Sequence, residues 1–204
     1  PVDIIQTGQN RLLALLAKLS IALAAALLWQ PLLAADWQSE SENSQLNFAA
    51  SFQNLPIDGR FNQFSVKYTT DQAALPVNLQ VMVSVASADM GNMEFNDEIQ
   101  ALDWFNVADH STAIFTSQQF EIVSQNKADA DYIAHGKLQL KGIEQAVAVP
   151  FSWRQINHNQ VAMNGELRLN RSDFGIGQGE WATGEQIGLA VRVWFNVRML
   201  SSND

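Results

Sequence analysis

Apolar and polar residues alternate along most of this chain, and the longest run comes near its end. Ile187, Leu189, Val191, Val193, Phe195 and Val197 occupy every second position, with Gly188, Ala190, Arg192, Trp194 and Asn196 between them. A period of two sends successive side chains to opposite faces, so 187–197 is predicted to be a β-strand with one apolar face. Leu46, Phe48, Ala50 and Phe52 predict a second strand, and Val77, Leu79, Val81, Val83 and Val85 a third. Between them, Pro56 and Gly59 predict a turn. The apolar phase then shifts by one residue between Phe61 and the run Phe64, Val66, Tyr68, which predicts a bulge.

The alternation stops at Ala88. From there to Asp109, Phe95, Ile99, Leu102 and Phe105 fall at spacings of three and four, and Asn92 is placed to cap, which predicts one or two short helices. Strands are predicted again at 112–117, 120–125, 132–140, 145–153 and 160–169. Short, evenly spaced, alternating strands argue an antiparallel barrel or sandwich. The length of the strands and the bulge and glycine positions favour an all-β barrel. Eight strands enclose an interior that side chains fill or that holds one small ligand.

One connection stands out. After Leu169 the chain reads Arg171-Ser172-Asp173-Phe174-Gly175-Ile176-Gly177-Gln178-Gly179, with glycine at every second position. Glycine tolerates backbone angles that a Cβ resists, so this is a shaped connection between two strands. A phosphate cradle would open a helix, and this loop opens a strand. Arg171 and Asp173 are expected to pair across the turn and pin it, or to meet a ligand head group.

Composition narrows the classes. One domain is expected at 204 residues, and the formal net charge of −9 argues against nucleic acid and against anionic lipid surfaces. The absence of cysteine excludes disulfides and thiolate chemistry. Near the start, Arg11 precedes an apolar stretch whose core, Leu19 to Trp29, is followed by Pro31 and by Ala34-Ala35. That layout predicts a signal peptide over 1–35, or a membrane anchor if it is retained; Lys18 leaves it short of the roughly 20 apolar residues of a spanning helix. Removing 1–35 takes away Asp3, Arg11 and Lys18 and leaves the rest one unit more negative.

No constellation for catalysis emerges, and the chain is not expected to be an enzyme. His110, His135 and His158 lie in separate segments without metal spacing. Asp109-His110-Ser111 holds the residue types of a triad, but triad members meet through the fold and not as sequence neighbours. Glu94, Asp97 and Glu98 read as a solvated acidic face.

Five stretches, in this order and spacing, carry a resemblance: Gly59 to Phe64, Leu102 to Val107, Ala113 to Ser117, His135 to Gly142, and Arg171 to Gly177. Together they make residues 36–199 resemble the YceI-like domain family, whose fold is a lipocalin-like barrel. Two positions depart from its pattern: Asp109-His110-Ser111-Thr112 stands where tyrosine-proline is usual, and Ile143 where threonine is usual. The resemblance implies an eight-stranded antiparallel barrel in the periplasm whose apolar interior holds a long-chain isoprenoid lipid, such as the tail of a quinone. It implies no cofactor beyond such a ligand. It also implies a membrane b-type cytochrome of the b561 kind as a partner, the domain then acting as an anchored accessory subunit, and a homodimer.

The residues expected to line the interior follow from the alternation. Phe48, Phe52, Phe61, Phe64, Phe115 and Phe195 sit on the apolar phase of their strands, joined by Val66, Leu138, Leu140 and Val193. Phe174 comes from the glycine-rich loop, and Phe95, Trp104 and Phe105 from the segment that would close one end. Alternation alone fits a filled core as well as a cavity; the resemblance implies the cavity. About 0.8 kcal/mol per buried methylene would then hold a long chain, with more regard for apolarity than for chemical detail.

Overall fold

The computed structural model describes residues 34–126 and 129–202. The expected signal or anchor segment therefore lies outside the described residues, apart from Ala34 and Ala35. Among the described residues, no helix is long and apolar enough to cross a membrane.

Eleven strands form one antiparallel sheet. They are β1 (Asp36–Ser39), β2 (Gln45–Phe52), β3 (Leu55–Phe61), β4 (Phe64–Thr70), β5 (Pro76–Ser84), β6 (Ala88–Asp89), β7 (Thr112–Asn126), β8 (Asp129–Leu140), β9 (Ile143–Asn157), β10 (Gln160–Asn170) and β11 (Ala190–Ser201). A helix, α1 (Met93–Gln100), follows β6. Hydrogen bonding runs β1-β4-β5-β7-β8-β9-β10-β11, and β11 pairs back to β1, which closes an eight-stranded barrel.

The remaining three strands extend the wall at one end. β2 continues the line of β1 along β11: β1 pairs with 199–201 and β2 with 192–196. In the same way β3 pairs with β2, and β6 pairs with β3. The breaks between β1 and β2, β3 and β4, and β5 and β6 are stitched by serine hydroxyls. Ser44 Oγ donates to the Glu40 carbonyl (2.6 Å) and accepts from the Arg198 amide (3.0 Å). Ser87 Oγ accepts from the Gln63 amide (2.9 Å) and donates to the Ser84 carbonyl (2.7 Å). β6 ends the sheet, and α1 follows it where the ladder stops.

These breaks correct the sequence reading. The phase shift between Phe61 and Phe64 is no bulge: the chain leaves β3 and starts β4 with different partners. Pro56 and Gly59 do not make a turn but lie inside β3. The turn is Gln53-Asn54, both at positive φ (50° and 66°), the two-residue hairpin geometry whose twist matches its strands. The strands expected at 112–117 and 120–125 are one strand, β7, with a register shift between Ser117 and Gln119. The Ser117 hydroxyl serves that shift by donating to the His135 carbonyl (2.9 Å) and accepting from the Gln119 amide (3.3 Å). The last strand starts at Ala190, later than expected, and runs on to Ser201. The helix stands as expected, with the Asn92 side chain accepting from the amides of Glu94 and Phe95.

Candidate ligand cavity

The inward faces of the strands meet differently at the two ends of the barrel. At one end Trp37, Tyr68, Phe120, Tyr132 and Trp153 pack with Met199 into a filled core: Tyr68 lies 4.5 Å from Trp153, and Trp37 meets Trp153 edge-on at 5.2 Å. Tyr68 is 1% exposed, and burial pushes its hydroxyl pKa up. None of these six reaches the space beyond, where Phe151 and Met163 form the floor of a cavity of about 380 Å³. That volume falls in the range of about 300–1,000 Å³ typical of small-molecule pockets.

Every residue expected to line the interior does so. Phe48 and Phe52 come from β2, Phe61 from β3, Phe64 and Val66 from β4, Phe115 from β7, Leu138 and Leu140 from β8, and Val193 and Phe195 from β11. Phe174 reaches in from the glycine-rich loop, Phe95 from α1, and Trp104 and Phe105 from the segment after it.

The space persists because key rings lie against the wall and do not point to the centre. Phe48 sits opposite Gly59, and Phe195 opposite Gly165, across neighbouring strands. A Cβ at either glycine would overlap the facing ring, and a Cβ at Gly136, which lies diagonal to Phe115, would overlap that ring as well. A glycine beneath each ring lets it lie flat on the backbone of the next strand.

The glycine-rich loop closes the cavity end around one side chain. Arg171 is 3% exposed and gives all five of its N–H donors to backbone carbonyls. Nε donates to Gly188 (3.1 Å), Nη1 to Ile176 (2.8 Å) and Gly177 (2.9 Å), and Nη2 to Trp181 (2.5 Å) and Ile187 (2.7 Å). Burial lowers its pKa. The guanidinium also lies 5.5 Å from the centre of the Trp104 ring. The expected pair with Asp173 does not form. Asp173 is exposed and Arg171 points inward, because five carbonyls left by a tight loop demand donors more than a surface carboxylate does. Gly175, Gly177 and Gly179 all take positive φ (63°, 71° and 62°), and Gly177 and Gln178 donate to the Asp103 carbonyl (2.7 and 2.9 Å). Those amides are turned to protein, away from any phosphate.

Two lining residues carry charge, Arg171 and Glu98. Glu98 Oε1 accepts from Trp104 Nε1 at 3.0 Å. Among the described lining residues, Phe95, 40% exposed, and Glu98 are the exposed ones, so the cavity meets water beside α1.

Sequence reasoning missed part of the lining. Val81, Val147, Val149, Leu167 and Val191 share the alternating phase that identified the others, so the signal was present. Ile187 opens the alternating run 187–197 and carried the same signal, whereas Met90, Glu98 and Trp181 carry none, because they lie in non-repeating segments. His135 stands on the outer surface 3.4 Å from Glu121. Among the described residues, no group of three His, Asp or Glu side chains is placed to hold a metal ion.

Comparison with known proteins agrees with this architecture. The family profile of the YceI-like domain matches residues 37–199. A UPF0312 protein of Azotobacter vinelandii is 28% identical over 187 residues, spanning 85% of this chain and 94% of its own. The crystal structure of BcnA from Burkholderia cenocepacia superposes with a TM-score of 0.72 at 28% identity, covering 78% of this chain and 98% of that one. A polyisoprenoid binding domain from Saccharophagus degradans, implicated in plant cell wall breakdown, shares the fold with a TM-score of 0.64 at 16% identity, covering 81% and 98%.

Proposed function

The chain belongs to the YceI-like domain family, and from that premise we propose that it is a lipid carrier, holding the apolar tail of an isoprenoid lipid or quinone inside its barrel. The carrying observation is the cavity, walled by aliphatic and aromatic side chains and opening beside α1. Such a space binds by apolar contact: about 0.8 kcal/mol per buried methylene, set against the cost of ordering the chain. The polyisoprenoid binding domain of Saccharophagus degradans, with the same fold, supports this class of ligand. The reading is of a binding protein and not an enzyme. In support, the lining holds two charged side chains, one of them wholly engaged by backbone.

Organic extraction of the protein purified from its native host, followed by mass spectrometry, tests the carrier. A long-chain isoprenoid in roughly equal ratio to protein is the expected result; an empty protein that also takes up no added isoprenoid defeats the reading.

We place the carrier in the periplasm, on the strength of the apolar run Leu19 to Trp29 and the small residues Ala34-Ala35. Sequencing the N-terminus of the protein from cells decides this. A start near Asp36 fits a free carrier, whereas a retained apolar run fits an anchored subunit beside a membrane b-type cytochrome.

A further inference from the structure

The cavity's two charged residues differ in what they can still bind. Arg171, buried at the loop end, is the obvious receptor for an anionic head group, but all five of its N–H donors are spent on the carbonyls of Ile176, Gly177, Trp181, Ile187 and Gly188. It has none left for a phosphate or carboxylate. The first amides of α1 are equally committed, since Glu94 and Phe95 donate to Asn92 (2.8 and 3.2 Å). Two further cations near this end are also engaged: Arg60 on β3 with Asp89 at 3.0 Å, and Lys141 in the turn after β8 with the Gly175 carbonyl at 2.7 Å.

Glu98 is the opposite case. One carboxylate oxygen is fixed by Trp104 Nε1 at 3.0 Å, which sets the side chain's position over the opening. The other makes no hydrogen bond among the described residues. It stands beside the exposed ring of Phe95 where the cavity meets water, with Glu94 and Asp97 on the same helix. A tail lying in the cavity would leave its head at this carboxylate. An acceptor-only group with a free oxygen receives a hydroxyl and repels an anion, the more so at an apolar boundary.

Resting on the lipid-carrier reading, we propose that Glu98 selects the head group: the cavity takes isoprenoids ending in a hydrogen-bond donor, an alcohol or a hydroquinone, and rejects prenyl phosphates and free acids. Trp104 is the positioning residue for that carboxylate.

Three isoprenoids of one chain length, differing only in an alcohol, carboxylic acid or monophosphate head, are titrated into the protein at pH 7. Binding is read from the fluorescence of Trp104 and Trp181 in the lining. The alcohol is expected to bind about tenfold more tightly than either anion, since like charges at an interface are strongly disfavoured. Glu98→Gln keeps an acceptor for Trp104 but turns a neutral amide N–H to the head group in place of the free carboxylate oxygen, which removes the charge and the second acceptor together, and is expected to narrow that gap to about twofold. Anions binding as well as the alcohol, or a gap unchanged in Glu98→Gln, overturns the selection and leaves the carrier standing. Binding of none of the three removes the carrier and the selection together.

Discussion

Around Tyr68, the inward side chains of β1, β4, β8 and β9 touch ring to ring; around Phe48, inward phenylalanine, valine and leucine side chains lie along the wall and leave about 380 Å³ between them. Both ends are lined by large apolar side chains, the two tyrosines standing at the packed end and most of the phenylalanines at the cavity. What separates them is the backbone opposite. Glycine stands opposite Phe48 and Phe195 and diagonal to Phe115, whereas Tyr68 stands opposite Leu79 and Trp37 with no glycine at its diagonal positions, so its ring has only the centre to fill. The packed end is held by apolar contact. The cavity end lacks that filling and is closed by a buried guanidinium and its five carbonyls. Stability is thus concentrated at one end, and room for a ligand at the other.

Cutting the packed end is expected to have the largest effect. Tyr68→Ala removes a ring that is 1% exposed and faces three other aromatics, Phe120, Phe151 and Trp153. Large-to-small changes of this kind cost about 3–5 kcal/mol, and equilibrium denaturation should show a loss near 4 kcal/mol, about 8–16 °C in Tm. A loss below about 1 kcal/mol would mean that this end is no tighter than the other.

Arg171→Met comes next. It orphans five carbonyls in a loop whose closure they define, at an expected cost of about 3 kcal/mol. Arg171→Lys should recover less than half of that, because an ammonium offers three donors from one centre and cannot span the fork. Limited proteolysis should find new cleavage within 175–188 in the Met variant before global unfolding. Unchanged protease resistance would show that the loop is held by something else.

This division also marks how far the sequence could be read. Strict alternation in β2, β5 and β11 made the barrel legible, and with it the inward strand residues, while Phe95, Trp104, Phe105 and Phe174 were expected from the segments that close one end. Alternation reports which face a side chain takes, however, and not whether the opposite wall meets it; Phe48 and Tyr68 read identically. The deciding partners, Gly59 for Phe48 and Trp153 for Tyr68, lie on other strands and depend on register. Local punctuation misled in the same way. Pro56 and Gly59 look like a turn because they break propensity, yet Gly59 is inside β3 to make room for a ring. Arg171 was read against its neighbour Asp173, while its five partners lie between five and seventeen residues away.

A gentler change converts the cavity end toward the packed one. At Gly59 the nearest atoms to an added Cβ all belong to the Phe48 ring, whereas at Gly165 and Gly136 a backbone carbonyl also stands in the way. Gly59→Ala should therefore push Phe48 off the wall and into the empty space, at only about 1 kcal/mol, the low edge of overpacking costs. Isoprenoid alcohol binding should fall several-fold while Tm barely moves. Adding Phe48→Leu, which shortens the displaced side chain, should restore binding. If Gly59→Ala binds normally, the flattened ring is not what keeps the space open.

The smallest expected effect concerns acid and the opening beside α1. Asp89 ends β6 and accepts from the Gly91 amide (2.9 Å), from Asn96 on α1 (3.3 Å) and from Arg60 (3.0 Å). These bonds, the Gly91 amide foremost, lower its pKa from 3.8 to about 2. A depressed carboxyl supports the fold in its charged form. Its contribution is complete above pH 3.8 and disappears as pH falls through about 2. The carboxylate is partly exposed, so the effect is local and weakened by salt. Tyr68 and Tyr132 at the packed end, both raised by burial, stay neutral throughout this range. Amide exchange at Gly91 and in the first turn of α1, corrected for intrinsic rates, should therefore rise between pH 4 and pH 2 while amides flanking Tyr68 stay protected. Asp89→Asn should loosen α1 already at neutral pH and flatten the acid response. A response that survives in Asp89→Asn would show that Asp89 is not what makes the opening acid-sensitive.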